Sequence, residues 1–296
     1  MNLSDSILAT LAYHDIFDYP LTAEEVQRYL IDKKASLKSI SSSLVILERS
    51  DRILNKDNLY TLKKRNNLFT LRKQRVKYSQ SKLKRAQLFS YPLSLIPTIK
   101  LVAISGALAM QNSCKNDDID LFLITAKNTL WTTRLFTNLL LLPFKRHPKS
   151  VKTTDRACLN TFLDESNLKI SPSNLYLAHE ICQMKPIWDR GNTYHQFLKA
   201  NRWVTKFLPN WTPNDERQTT NDTRQKESNA LVLKRLALVA RPLEVLAKWG
   251  QLWYMHSKIT SEKIGEHQLF FHPQDTQTWV LKEYQKRLKR LRIQLN

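Results

Sequence analysis

Residues 104–124 read ISGALAMQNSCKNDDIDLFLI: a glycine directly follows one apolar run, and two aspartates, Asp118 and Asp120, open the next. Side chains on a strand alternate between faces, so carboxylates two residues apart point the same way. Such a pair suits a hard divalent cation, Mg2+ or Mn2+, which takes carboxylate and phosphate oxygens. Gly106, flanked by Ser105 and Ala107, lets the backbone come close to a phosphate, and a helix starting there offers amides to its oxygens. The set suits in-line transfer of a nucleoside monophosphate from a nucleoside triphosphate (NTP) to a hydroxyl, a reaction catalysed by positioning and charge stabilisation. The plainer alternative is that both aspartates cap a strand and solvate its end.

The elements that must position this pair read as alternating strands and helices over residues 98–170. KLVAIS is a run of strand formers, GALAMQNS a turn or helix start, and DIDLFLIT a second strand. TLWTTRLFTNLLLLPFKR is a long helix and RACLNTFL a further strand. Arg134 on the long helix either reaches the nucleotide or makes a surface ion pair. Ahead of this segment, residues 1–65 carry three helical stretches, the second opened by a Thr22-x-x-Glu25 capping box, and two short extended pieces around Asp57-Asn58. That pattern describes a winged helix-turn-helix, whose third helix exposes Lys38, Ser39, Ser42, Ser43 and Arg49 to DNA or else packs on a partner. Residues 66–97 form a basic connecting helix: from Lys63 to Arg85 there are ten Lys or Arg and no acid. It is either a solvated connector or a phosphate-binding face.

Residues 171–296 read as helices only, with a flexible loop at 213–228 whose residues include no aliphatic or aromatic side chain after Pro213. His179 beside Glu180 reads as a packing histidine. Trp188, Trp203, Trp211, Trp249, Trp253 and Trp279 fall at helical spacing among aliphatics and read as packing residues, with base stacking as the alternative.

ISGALAMQNS with DDIDLFLIT resembles the nucleotidyltransferase superfamily that includes DNA polymerase beta, poly(A) polymerases and CCA-adding enzymes. LAYHDIFDYPLT, LWTTR, CLNTFL and NLYLAHEICQMKPI extend the likeness to bacterial nucleotidyltransferase-domain proteins over most of the chain. The resemblance implies an α+β protein: an N-terminal winged helix-turn-helix, a small mixed-sheet nucleotidyltransferase domain and a helical C-terminal region. It implies that Gly106 cradles the nucleotide phosphates and that Asp118 and Asp120 are the metal ligands; Ser105, Ala107 and Arg134 are the further candidate nucleotide-binding residues. It also implies a third acid on a later strand, acting as metal ligand and base. Two positions depart from the pattern. Ala107 stands where a hydroxyl residue usually follows the glycine, and the polar residue on ACLNTFL is the neutral Asn160, with Asp155 and Asp164 as stand-ins at the strand's two ends. Two functions follow: a Mg2+-dependent nucleotidyltransferase acting on a nucleic-acid or protein hydroxyl, or a catalytically inactive relative that binds DNA through its winged helix.

Composition narrows the setting. The 296 residues carry 47 Lys and Arg against 26 Asp and Glu, a formal charge of +21 that attracts anions such as RNA, DNA, nucleotides or acidic lipid. Cys114, Cys158 and Cys182 lie far apart, without disulfide-framework or zinc-ligand spacing. No signal-peptide pattern and no apolar run of membrane-spanning length occurs, so a cytoplasmic protein is expected.

Overall fold

A computed structural model of the chain describes residues 1–146, 153–213, 242–256, 263–271 and 276–294. About half of the described residues are helical, and the helices surround a mixed sheet. The loop expected at 213–228 lies almost wholly outside the described residues.

The chain starts with α1 (Leu3–Asp15), α2 (Ala23–Arg28) and α3 (Leu37–Arg49), followed by the antiparallel hairpin β1 (Ile53–Lys56) and β2 (Leu59–Leu62). The expected capping box is present: the Thr22 hydroxyl accepts from the Glu25 amide and the Glu25 carboxylate accepts from the Thr22 amide. An isolated bridge between Leu21 and Tyr60 ties the start of α2 to the hairpin. Nearly every residue of α1 after its first turn is buried, because other helices enclose it all round. One of them is α10 (Thr276–Leu291), which contributes Val280, Tyr284 and Leu288 to the core of α1. Asp15 of α1 accepts from Arg65 at 2.7 Å and from Arg287 at 2.9 Å, clamping both ends of the chain together.

A single helix of 28 residues, α4 (Asn67–Ser94), then runs to the sheet. Of the ten cations between Lys63 and Arg85, seven stand in ion pairs with Asp15, Asp18, Glu25, Asp51, Asp57 or Asp155. Most of the basic run's charge is thus met by the protein's own carboxylates. The remaining elements are β3 (Ile99–Ile104), α5 (Gly106–Ala109), β4 (Ile119–Thr125), α6 (Leu130–Leu140), β5 (Ala157–Asp164), α7 (Leu175–Gln183), β6 (Lys185–Asp189) and α8 (Thr193–Ala200). After them come helical residues 242–255 (α9), then β7 (Lys263–Ile264), β8 (Gln268–Phe270) and α10.

The sheet order is β6-β3-β4-β5-β8-β7, antiparallel except for the parallel β4–β5 pair. Its two faces are both covered, which is why β3 and β4 are apolar almost throughout. Ile119, Leu121 and Leu123 pack with α4, α6 and α9, while Phe122 and Ile124 pack with α7, α8 and the N-terminal helices.

Three expectations are corrected. The region after Ser171 is not wholly helical, since β6, β7 and β8 join the sheet. Their shortness, and Pro186 inside β6, remove the usual strand signal; β6 tolerates proline because it is an edge strand. Within that region YHQFLKANRWVTKFL, whose aromatic and aliphatic residues at spacings of three and four predict one helix, breaks at Asn201, which is fully buried, accepts from the Ile170 amide and donates to the Leu168 carbonyl. Trp249, Trp253 and Trp279 are more than half exposed rather than packed, because α9 and α10 turn their other sides inward. Among the described residues no helix is long and apolar enough to cross a membrane.

Candidate active site

Asp118 precedes β4 and Asp120 is its second residue, so both lie on the face shared with Phe122. On the parallel neighbour β5, Leu121 pairs with Leu159 but Phe122 pairs with Thr161. The extra residue at that bulge is Asn160, and the shift keeps Cys158, Asn160 and Thr161 all on the carboxylate face. The ligand atoms of Asp118, Asp120 and Cys158 lie within 4.8 Å of one another. The Asn160 amide donates to Asp120, and its carbonyl oxygen accepts from the Cys158 thiol at 2.9 Å. Arg146 donates to Asp118 at 2.8 Å and is held in place by its own backbone bond to the Ala157 carbonyl.

Gly106 has φ +61°, the left-handed region that glycine enters without cost. A Cβ built there would stand 2.8 Å from the Asp120 carboxylate, so the close approach this glycine permits is to Asp120 itself. The preceding Ser105 donates its amide to the Asp120 carbonyl at 3.2 Å. Helix α5 is a single turn of four residues, and Ala107 on it is exposed.

The stand-ins for a third acid are occupied elsewhere. Asp155 pairs with Lys82 at 2.6 Å, and buried Asp164 accepts from the Asn128 amide, the Ser166 amide and the Ser166 hydroxyl. Arg134 bonds Gln251 of α9 and lies 4.3 Å above the Phe271 ring, so the structure places it in the packing of α6 rather than beside the aspartates.

An acid the sequence reading passed over faces the pair. Glu180, the lone acid of α7, lies close enough for its charge to raise the Asp120 carboxyl, and a backbone hydrogen bond links it to Gly106. Its signal in the sequence was a single carboxylate on an otherwise apolar helix face, LYLAHEICQ. The neighbouring His179 is a packing residue as expected: it is buried and stacks on Tyr13 with ring centres 4.0 Å apart.

Burial pushes Asp120 up to about 7, helped by the charges of Asp118 and Glu180 and opposed by the Asn160 amide and Arg146. Burial likewise pushes Glu180 up to about 7, against the Gly106 bond. The Cys158 thiol is raised by burial and then by the two aspartates, so it stays protonated. The site therefore holds more carboxylate than the protein neutralises. A hard cation would fit this donor set, with Asp118 and Asp120 as the residues that would hold it. Cys158 brings a soft sulfur donor, which so hard a cation disfavours.

Beside the pair lies a cavity of about 270 Å³. Ser105, Thr161 and Glu180 stand on its wall, joining it to the carboxylate site. Comparison of the chain with protein-family models, curated proteins and solved structures yields no match.

Proposed function

We propose that the protein is a nucleotidyltransferase that moves a nucleoside monophosphate from an NTP to a hydroxyl acceptor with the help of Mg2+ or Mn2+. The observation that carries this reading is the convergence of Asp118, Asp120 and the bulged strand β5 on one face of a sheet, over a cavity roomy enough for a substrate. When bound, the cation supplies charge neutralisation for the phosphates. Asp118 and Asp120 hold it, and Arg146, 2.8 Å from Asp118, adds the positive charge that meets a polyphosphate. The acceptor oxygen bonds the α-phosphorus, the bond from that phosphorus to the β-phosphate oxygen breaks, and pyrophosphate leaves with the electron pair. The hydroxyl proton passes to Glu180, the acid on the cavity wall, in place of the absent third strand carboxylate.

A second reading has its own support. Asn160 is neutral and donates to Asp120, and Asp155 and Asp164 are engaged elsewhere, which favours an inactive relative. In that reading α1 to α3 with the β1–β2 hairpin act as a winged helix on DNA. The bridge from Leu21 to Tyr60 supports that shape.

Calorimetry of ATP with Mn2+ separates the two. We expect binding in the wild type and none after Asp118→Asn combined with Asp120→Asn. ATP binding that ignores the metal and the double substitution would sink the transferase reading. The next experiment would then be DNA selection on the full chain, because α1 shares its core with α7 and α10.

A further inference from the structure

The cavity beside the carboxylates differs in chemistry from the charged pair it adjoins. Its walls carry the aromatic rings of Phe122, Tyr176, Phe197 and Phe270. Its described lining includes one carboxylate, Glu180, and one cation, Lys263, so no net charge is present to hold a phosphate. A nucleic-acid backbone, which binds through cations, therefore gains nothing here, although the chain as a whole carries +21. At about 270 Å³ the space falls below the usual ~300–1,000 Å³ of drug-sized sites, which limits an occupant to one or two rings. Ionised or neutral, a carboxyl group accepts a hydrogen bond, so Glu180 favours a ligand that brings a donor. Ser105 and Thr161 add hydroxyls on the side nearest Asp120.

We propose that this cavity binds a small aromatic alcohol or phenol of one or two rings, with its ring among Phe122, Phe197 and Phe270 and its hydroxyl donated to Glu180. Resting on the transferase reading above, this molecule is the hydroxyl acceptor, in place of a nucleic acid or a protein.

The test uses the full chain and two probes, p-cresol and toluene, which differ by the donor alone, with binding followed by saturation-transfer NMR. The wild type is expected to bind p-cresol about tenfold more tightly than toluene, the worth of one hydrogen bond to a carboxylate. Leu177→Trp, which fills the cavity from α7, should abolish binding of both probes. Glu180→Leu should erase the preference for p-cresol and keep toluene. Failure of p-cresol to bind, binding untouched by both substitutions, or displacement of p-cresol by ribose 5-phosphate would each overturn the proposal. ATP binding with Mn2+, measured on the same samples, keeps the two ideas apart. ATP bound without p-cresol overturns the cavity assignment alone. Binding of p-cresol without ATP supports the assignment and removes the acceptor role.

Discussion

Gly106 and Asn160 both lie against Asp120, and each allows a sharp test. Gly106→Ala would place a side chain at φ +61° and a Cβ 2.8 Å from the Asp120 carboxylate. The left-handed backbone alone costs about 1–3 kcal/mol, so urea unfolding should show a loss of that order. Asp120 must also move, so metal-dependent ATP binding should weaken in the same variant. Asn160→Asp restores a third carboxylate beside Asp120, and we expect Mn2+ affinity to rise roughly tenfold, by the scale on which residues around metal ligands act. Unchanged or weaker Mn2+ binding would mean that the Asn160 amide serves only to hold Asp120. The aspartate pair was legible because its spacing encodes its direction on a strand. Glu180 was not, since it lies some sixty residues further on in a helix, and only the packing of α7 onto the sheet brings it to Asp120.

At the scale of elements, α4 does more than connect. Its Lys82 is 2% exposed and donates to the Lys115 and Asp117 carbonyls at 3.1 and 2.6 Å and to Asp155 at 2.6 Å. The Ser79 hydroxyl, one turn earlier, accepts from the Ser113 amide. The loop that delivers Asp118 is thereby fastened to this helix. Removing one member of a fully buried ion pair costs about 3–5 kcal/mol, and since Asp155 is 34% exposed and can rehydrate, we expect Lys82→Met to cost about 2–3 kcal/mol in thermal or urea unfolding. A loss within experimental error would show that the loop holds itself. The sequence displayed α4 only as a basic run, because charge counts do not show which cations turn inward. It displayed α1 to α3, β4 and β5 clearly, through capping residues and apolar periodicity. It hid β6 and β8, whose five and three residues carry too short a pattern. The bulge at Asn160 was hidden too, since register belongs to a pair of strands and not to one.

For the whole molecule, the core that joins α1, α7 and α10 encloses two histidines whose rings lie 5.0 Å apart. Burial lowers His14 from 6.5 to about 4, with the Thr10 carbonyl opposing and the Arg72 charge adding to it, and burial together with the His14 charge holds His179 well below the usual imidazole range. A group whose folded value is depressed in this way stays neutral while the unfolded chain takes up a proton, so stability is lost as pH falls from 6.5 towards 4. Each pH unit of that gap is worth about 1.4 kcal/mol, which gives about 3 kcal/mol for His14. Glu25, Asp120 and Glu180, each raised to about 7, act with the opposite sign. The clean readout is therefore a difference: between pH 6.5 and 4 the wild type should lose stability relative to His14→Gln, and parallel curves would contradict it. The strand order carries one more consequence, for the chain as it is being made. β5 leaves the ribosome long before β8, the strand that pairs with it and brings Phe270 to the cavity. At about 5–20 residues per second, the roughly hundred residues between them take about 5–20 s to synthesise. Throughout that interval the nascent chain presents an open strand edge next to its aspartates, a template for wrong pairing. The cavity proposed to take a ligand stays incomplete until translation has passed residue 270, so ribosome pausing within this stretch would lengthen the aggregation-prone window without altering the finished molecule.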